Sequence, residues 1–386
     1  MRPLPRSLAP LPDELLSGYL LRLSCHLGTS PDEIAARTGL APGFPDRRRP
    51  NRLPLGTLYH LDEERLHAFA VASRLSVEEA ASLLLAPLGR RYGPLHPDFS
   101  PRRDPARIMS DNPWILTRST RCCRTCLTGD GSEIQNLLGG AWKRSWRLPV
   151  TFACTEHQRL LDHQCHACDQ PIHVANTHTA IPRLHDATLH PLQCRSIPSG
   201  RDRTAACGAD FTTATAPTDI PDTPTLEVLL RRQEHLNMLL DDNGPERALS
   251  AGTLVPIARY FADLRATAGL LFLTWPLVRE HTATPQLAAA LDRSYKRRRT
   301  LAVPLMNAAS KRHSSRPYTV PPDDAFTTGA ALDTAARLLD APDPAEARTR
   351  MAPLFARLHR TNPGLSSYVR RPAWISASLR AAADDH

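Results

Sequence analysis

The sequence predicts a mainly α protein with three parts: an N-terminal helix-turn-helix-like domain, a central Cys/His zinc-binding module with short strands, and a C-terminal helical domain. Three observations carry this reading. Apolar residues recur at helical spacing behind capping signals in both halves of the chain. Nearly all the cysteines fall between Cys122 and Cys207, many of them in pairs. The 36 prolines among 386 residues break the chain into short elements, and that length exceeds what one core serves. The boundaries expected are 1–88 for the helical domain, 89–120 for a linker or arm, 121–211 for the zinc module and 224–386 for the C-terminal domain.

The first helix is expected over Glu14 to Leu27, where Leu15, Leu16, Tyr19, Leu20 and Leu23 form an apolar face that must be buried. Ser30-Pro31-Asp32-Glu33 then supplies an N-cap, a proline at the first helical position and a glutamate placed to bond back, and Gly39 ends a short second helix. A similar arrangement recurs from Leu61 to Leu85, with Leu66, Phe69 and Ala70 before a second capping box at Ser76-Val77-Glu78-Glu79. Both fit the turn into the second helix of a helix-turn-helix, although most helical hairpins are packing units and pattern alone does not specify function.

Between Pro87 and Pro113 the chain is rich in Pro and Arg, including Arg90, Arg91, Arg102 and Arg103, with little apolar periodicity. It reads as a linker or extended arm, and a solvated basic loop is the default for such a stretch. Beyond a Thr/Pro-rich stretch from Thr212 to Pro224, helix starts recur at Thr223-Pro224, Thr284-Pro285 and Asp343-Pro344. They place helices over Thr225 to Leu240, Leu254 to Leu273, Gln286 to Arg298, Asp324 to Leu339 and Ala345 to Leu358.

The net charge of +9 and a pI near 9.3 favour an acidic partner such as DNA, with coding bias toward Arg as the competing cause, since only Lys143, Lys296 and Lys311 are lysines. The local phosphate candidates are Arg47, Arg48, Arg49 and Arg52 after the first hairpin, and Arg293, Lys296, Arg297, Arg298 and Arg299 at a helix end. The first run also reads as a solvated loop, and the second as a complement to the negative helix C-terminus.

No N-terminal apolar h-region is present, and the most apolar stretch, Gly269 to Val278, is broken by Pro276 and too short to span a membrane. A soluble cytoplasmic protein with no membrane partner is therefore expected. Nine cysteines in a reducing compartment point to metal before disulfides.

The strongest chemical signal is the series Cys123-Arg124-Thr125-Cys126, Cys154-Thr155-Glu156-His157 and Cys165-His166-Ala167-Cys168. A C-x2-C turn puts two thiolates on one side of a tight loop, and a second pair completes a tetrahedron. Cys123, Cys126, Cys154 and His157 are assigned to a first zinc. Cys165 and Cys168 open a second, completed by Cys194 and Cys207, with His163, His166, His173 or His190 able to replace either of the latter two. Each filled site contributes on the order of 10 kcal/mol of binding that is also folding free energy.

Four protein ligands leave no open position for water, so both zincs are expected to be structural. Neither an H-E-x-x-H helix nor a G-x-x-x-x-G-K-[ST] loop occurs, and the scattered Asp98, Asp104 and Asp111 read as surface acids, so no catalytic residue is assigned. Cys122 is a spectator or alternate ligand, and Cys25 reads as a small core residue on the first helix. Trp142 and Trp146 are expected to pack the core beside the zinc turns instead of stacking on bases.

The run from Pro10 to Leu23, PLPDELLSGYLLRL, resembles the opening of TniQ-family proteins. The order that follows is similar to theirs as well: Cys123-x2-Cys126, Trp142, Trp146, Leu148-Pro149, Cys154-x2-His157 and Cys165-x2-Cys168. The resemblance covers about the first 170 residues and leaves the C-terminal half unmatched. It implies a non-catalytic adaptor in DNA transposition that helps choose the target site, binding DNA or a DNA-bound, even RNA-guided, targeting complex. It also implies contact with an AAA+ ATPase regulator and a transposase, and a homodimer is compatible with that role. The readings set against it are a zinc-containing helix-turn-helix transcriptional regulator and, from another class, a magnesium-dependent nuclease or recombinase.

Overall fold

The computed structural model describes residues 2–41, 53–99, 114–117, 119–174, 180–198, 205–213, 221–307, 320–361, 363–364, 371 and 375–383. Helices dominate them, with two small two-stranded sheets. The chain divides into two compact units. Residues 1–87, 118–148 and 160–218 make the first, and residues 88–117, 149–159 and 219–386 the second.

In the first unit, α1 (Leu16–Leu27) buries Leu16, Tyr19, Leu20, Leu21 and Leu23, as its spacing requires. It stops at Gly28, whose φ of 62° lies in the left-handed region that glycine enters without a Cβ penalty. One spacer later the Ser30 side chain accepts the Glu33 N–H and starts α2 (Pro31–Arg37). The expected reciprocal bond from Glu33 is replaced, because its carboxylate is taken by Thr29 and Arg37.

After α3 (Leu55–Tyr59) the second hairpin repeats that turn. Helix α4 (Glu63–Ser73) ends on Arg74, at φ 59°, and Ser76 caps α5 (Val77–Ser82) through a complete capping box with Glu79. The ring of Tyr19 meets that of Phe69 edge-on at 6.2 Å, and a buried pair joins Arg22 to Glu14 at 2.7 Å. Neither second helix offers a basic solvent face. Only Arg37 is exposed on α2, and the exposed residues of α5 are Val77, Glu78, Glu79 and Ser82. Two further short helices, α6 (Arg124–Thr128) and α7 (Glu133–Leu138), belong to the first unit, whereas β1 (Ala153–Cys154), the strand that follows in the chain, falls in the second, and β2 (Arg159–Leu160) lies at the boundary.

The second unit begins where a linker was expected. Tyr92 and Leu95 are fully buried, and the Arg91 guanidinium is bound by the Leu239 and Pro245 carbonyls and by Glu246. Composition misled here, because proline-rich 3-10 turns bury isolated aromatic and aliphatic residues without any periodicity. Helix α8 (Thr223–Leu240) is capped by Asp222, one residue before the Thr-Pro signal. Its Gln233 accepts the N–H groups of Phe152 and Ala153 on Oε1, at 2.7 and 3.0 Å, and donates through Nε2 to the Val150 carbonyl.

Strands β3 (Arg247–Ser250) and β4 (Thr253–Pro256) pair antiparallel across Ala251 and Gly252, both at positive φ. The helix expected from Leu254 therefore starts three residues later, as α9 (Ile257–Thr274). Exposed Leu254 beside buried Val255 is the alternation of a strand. Helices α10 (Pro285–Asn307), α11 (Ala325–Leu339), α12 (Pro344–Thr361) and α13 (Ala377–Ala381) complete the unit. Buried on nearly every side, α9 and α11 form its core. The carboxylate of Asp263 accepts from the Ser250 hydroxyl and the Ser376 N–H, each at 2.6 Å, pinning the β3 end and the α13 cap to α9.

Candidate metal centres

The first C-x2-C turn is held from both sides. Cys122 pairs with Asp162 as an isolated antiparallel bridge, which sets the approach to Cys123, and α6 carries the chain round to Cys126. Gly140 lies against the far side of that turn. A Cβ there would stand 2.2 Å from the Cys126 carbonyl oxygen, so the close approach needs glycine. On the turn between β1 and β2, the Sγ of Cys154 and the Nδ1 of His157 are 3.4 Å apart. One ligand atom from each of Cys123, Cys126, Cys154 and His157 lies within 4.8 Å of the other three.

The second group is Cys165, Cys168, Cys194 and Cys207, again mutually within 4.8 Å. Cys165 and Cys168 occupy a tight turn closed by bonds from the Cys165 N–H to Gln170 and from the Asp169 N–H to Cys165. Cys194 and Cys207 are separated by 12 residues in the sequence, yet a backbone ladder brings them together: Cys194 N–H to Ala209, Gly208 N–H to Cys194 and Cys207 N–H to Ser196. That pairing, invisible in the spacing, closes the set without a histidine. Of the histidines considered as substitutes, His173 packs on Trp142 and His190 bonds the Leu137 carbonyl.

Geometry and chemistry both suit zinc. The Cys165–Cys207 and Cys168–Cys194 sulfurs are each 3.8 Å apart, far too long for a disulfide. A tetrahedron with zinc–sulfur bonds of about 2.3 Å has edges of about 3.8 Å. Left to themselves the four thiols compete for charge. Hydrogen bonding with Cys194 holds the Cys165 thiol down to about 4, burial pushes Cys168 up to about 11, and the bond to Cys165 raises Cys194. Crowded thiolates ionise together only around a cation, so this donor set fits a divalent metal.

Around the turns sits an aromatic mini-core. Trp142 and Trp146 are both buried, with rings edge-on at 6.3 Å, and the Trp142 indole N–H donates to the Pro191 carbonyl. Against Trp142 lie the rings of His173, at 4.5 Å, and Phe211, at 5.5 Å. Burial, with the positive charges of Arg195 and Arg147 nearby, drives the His173 pKa down to about 3. Cys122 is fully buried and outside both groups, while Cys25 is half-buried on α1 instead of being a core residue.

Sequence reasoning passed over Arg124, which lies inside the first C-x2-C pair. Its guanidinium contacts the Asp162 carboxylate at 3.1 Å, His166 Nδ1 at 3.4 Å and the Thr213 carbonyl at 3.2 Å. The signal was its position between two ligands, where a long cation has no local acidic neighbour.

The basic run on α10 separates into two kinds. Arg293, Lys296, Arg297 and Arg299 are exposed, whereas Arg298 is buried, its guanidinium 4.0 Å over the Phe272 ring and donating to the Val320 carbonyl. Arg298 thus packs the second unit. Arg47, Arg48, Arg49 and Arg52 lie outside the described residues. Among the described residues, no helix is long and apolar enough to cross a membrane.

Residues 5–161 match the family model described as TniQ, a span that contains PLPDELLSGYLLRL, Trp142, Trp146 and the group Cys123, Cys126, Cys154 and His157. No curated protein matches the chain.

Proposed function

On the premise that residues 5–161 form a domain of the transposition-associated TniQ family, we propose that this chain is a non-catalytic, DNA-directed adaptor in DNA transposition, stabilised by two structural zinc ions. Its role is to help select the target site and to recruit the AAA+ ATPase regulator and the transposase, with DNA reached directly or through an RNA-guided complex, and as monomer or homodimer. The observation that carries the reading is the family match over a segment whose four Cys/His ligand atoms converge. Two closed four-ligand sets supply scaffolding and leave no coordination position for a reacting water.

The acidic exposed face of α5 and the buried faces of α2 favour an adaptor over a regulator that reads a promoter by itself, because a recognition helix needs donors aimed at base edges. The best surface for phosphates is α10, through Arg293, Lys296, Arg297 and Arg299. The test is purification of the zinc-loaded full chain, followed by duplex-DNA binding across a salt series and by pull-down of an AAA+ ATPase regulator of transposition. Salt-sensitive binding of modest sequence preference together with ATPase capture is the expected result. Tight recognition of one operator without any ATPase contact would replace the adaptor with the regulator, and metal-dependent DNA cleavage would replace both.

A further inference from the structure

We propose that Arg124 couples the two metal centres, so that filling one raises the affinity of the other; the inference rests on the zinc reading above. Arg124 is the first residue of α6, between Cys123 and Cys126, and is 8% exposed. Its side chain leaves the first turn and ends among groups that frame the second. Asp162 lies three residues before Cys165, His166 lies between Cys165 and Cys168, and Thr213 follows the ladder that carries Cys207. The Arg124 guanidinium lies 3.4 Å from His166 Nδ1, within reach of a hydrogen bond.

Asp162 is tied to the first turn a second time. Its backbone N–H and carbonyl pair with those of Cys122, immediately before Cys123. Each centre therefore orders part of the frame the other requires. With the first turn empty, α6 loses what fixes its start, and Arg124 no longer holds His166 and Thr213. With the second centre empty, His166 and the Thr213 segment stop anchoring Arg124. Sharing one ordering cost between two binding events is positive coupling, and it must be equal in both directions. The planar fork of arginine reaches a carboxylate, an imidazole and a carbonyl at once, which a lysine ammonium cannot reproduce with the same geometry. Arg124 touches no metal in this scheme and is a positioning residue.

The experiment is zinc transfer from the full chain to a chromogenic chelator, with cobalt(II) titration as a second readout. A site of three thiolates and one imidazole differs in its cobalt absorption bands from a site of four thiolates, so the two centres can be followed separately. Wild type is expected to release both zincs in one phase and to develop both cobalt bands together. In Arg124→Met the release should split into two phases about tenfold or more apart, the scale on which outer-shell partners act. Arg124→Lys should fall between. If Arg124→Met does not fold, Asp162→Asn keeps the guanidinium while removing its carboxylate partner, and should split the phases too. Two independent phases in wild type, or a single phase preserved in the folded variants, overturn the coupling while leaving the zinc reading intact. A folded wild type that holds no zinc overturns both.

Discussion

The Sγ atoms of Cys165 and Cys207 stand 3.8 Å apart although 42 positions separate the residues in the chain. The contact closes a long loop, so any ion that holds it removes much of the unfolded chain's freedom. Cys168→Ser should reduce zinc from two to one per chain by elemental analysis. A strong chelator should abolish the near-ultraviolet circular dichroism of the Trp142 and Trp146 pair. Unchanged dichroism after complete metal removal would show that the mini-core stands without it.

His173 makes stability fall in acid. Its folded pKa of about 3 lies below the ordinary value of 6.5, chiefly through burial. Below pH 6.5 the unfolded chain takes up a proton that the folded chain refuses until about pH 3, so this contribution is full above 6.5 and is lost as pH falls through that window. His173→Gln should flatten the dependence of the denaturant midpoint between about pH 6.5 and 5. An identical slope in the variant, at equal zinc content, would assign the acid sensitivity to other groups.

Gly28→Ala should destabilise the chain by about 1 kcal/mol. No atom lies within 4 Å of where its Cβ would be, so the cost comes from the backbone at φ 62° and not from a clash. Chemical denaturation with an unchanged m-value is the check, and a loss several times larger would mean that the turn itself rearranges.

Replacing Gln233 with Leu strands two buried N–H groups, those of Phe152 and Ala153, and one carbonyl, that of Val150. A loss of about 2 to 3 kcal/mol is expected from unmade buried bonds. Gln233→Glu keeps the acceptor and should recover part of the loss. Hydrogen exchange at Phe152 and Ala153 reads the effect directly, and protected amides in the Leu variant would contradict it.

The two kinds of cation on α10 should respond differently. Lys296→Ala and Arg297→Ala should each lower the slope of log affinity for duplex DNA against log salt by roughly 0.9, with the thermal midpoint unchanged. Arg298→Ala should lower the midpoint through its lost contact with Phe272 and the Val320 carbonyl. DNA binding that ignores the exposed pair would direct the search to a different surface.

Helices with either a strong apolar face, as in α1, or a side-chain cap at the front, as in α2 and α5, were legible, because both signals are local. The grouping of Cys123 with Cys126 and of Cys154 with His157 was legible for the same reason, since each pair fits inside one turn. Cys194 and Cys207 were named beside Cys165 and Cys168 with histidines as alternates, because the backbone pairing that brings them together runs between segments with no strand pattern. Residues 88–99 were misread because burial there falls on single residues such as Tyr92 and Leu95 inside a polar composition. Arg91 and Arg298 count as surface charge in any composition, and only tertiary contacts with carbonyls and a ring turn them inward.

The split within the α10 run would leave a trace in how the gene drifts. In copies retained only as folded protein, Arg293, Lys296, Arg297 and Arg299 are free to scatter into neutral residues, while Arg298 stays bound to the fate of Phe272. Copies still selected for a polyanionic partner would keep all five. Reading those five positions across close relatives would therefore distinguish a working element from its fossil before any protein is purified.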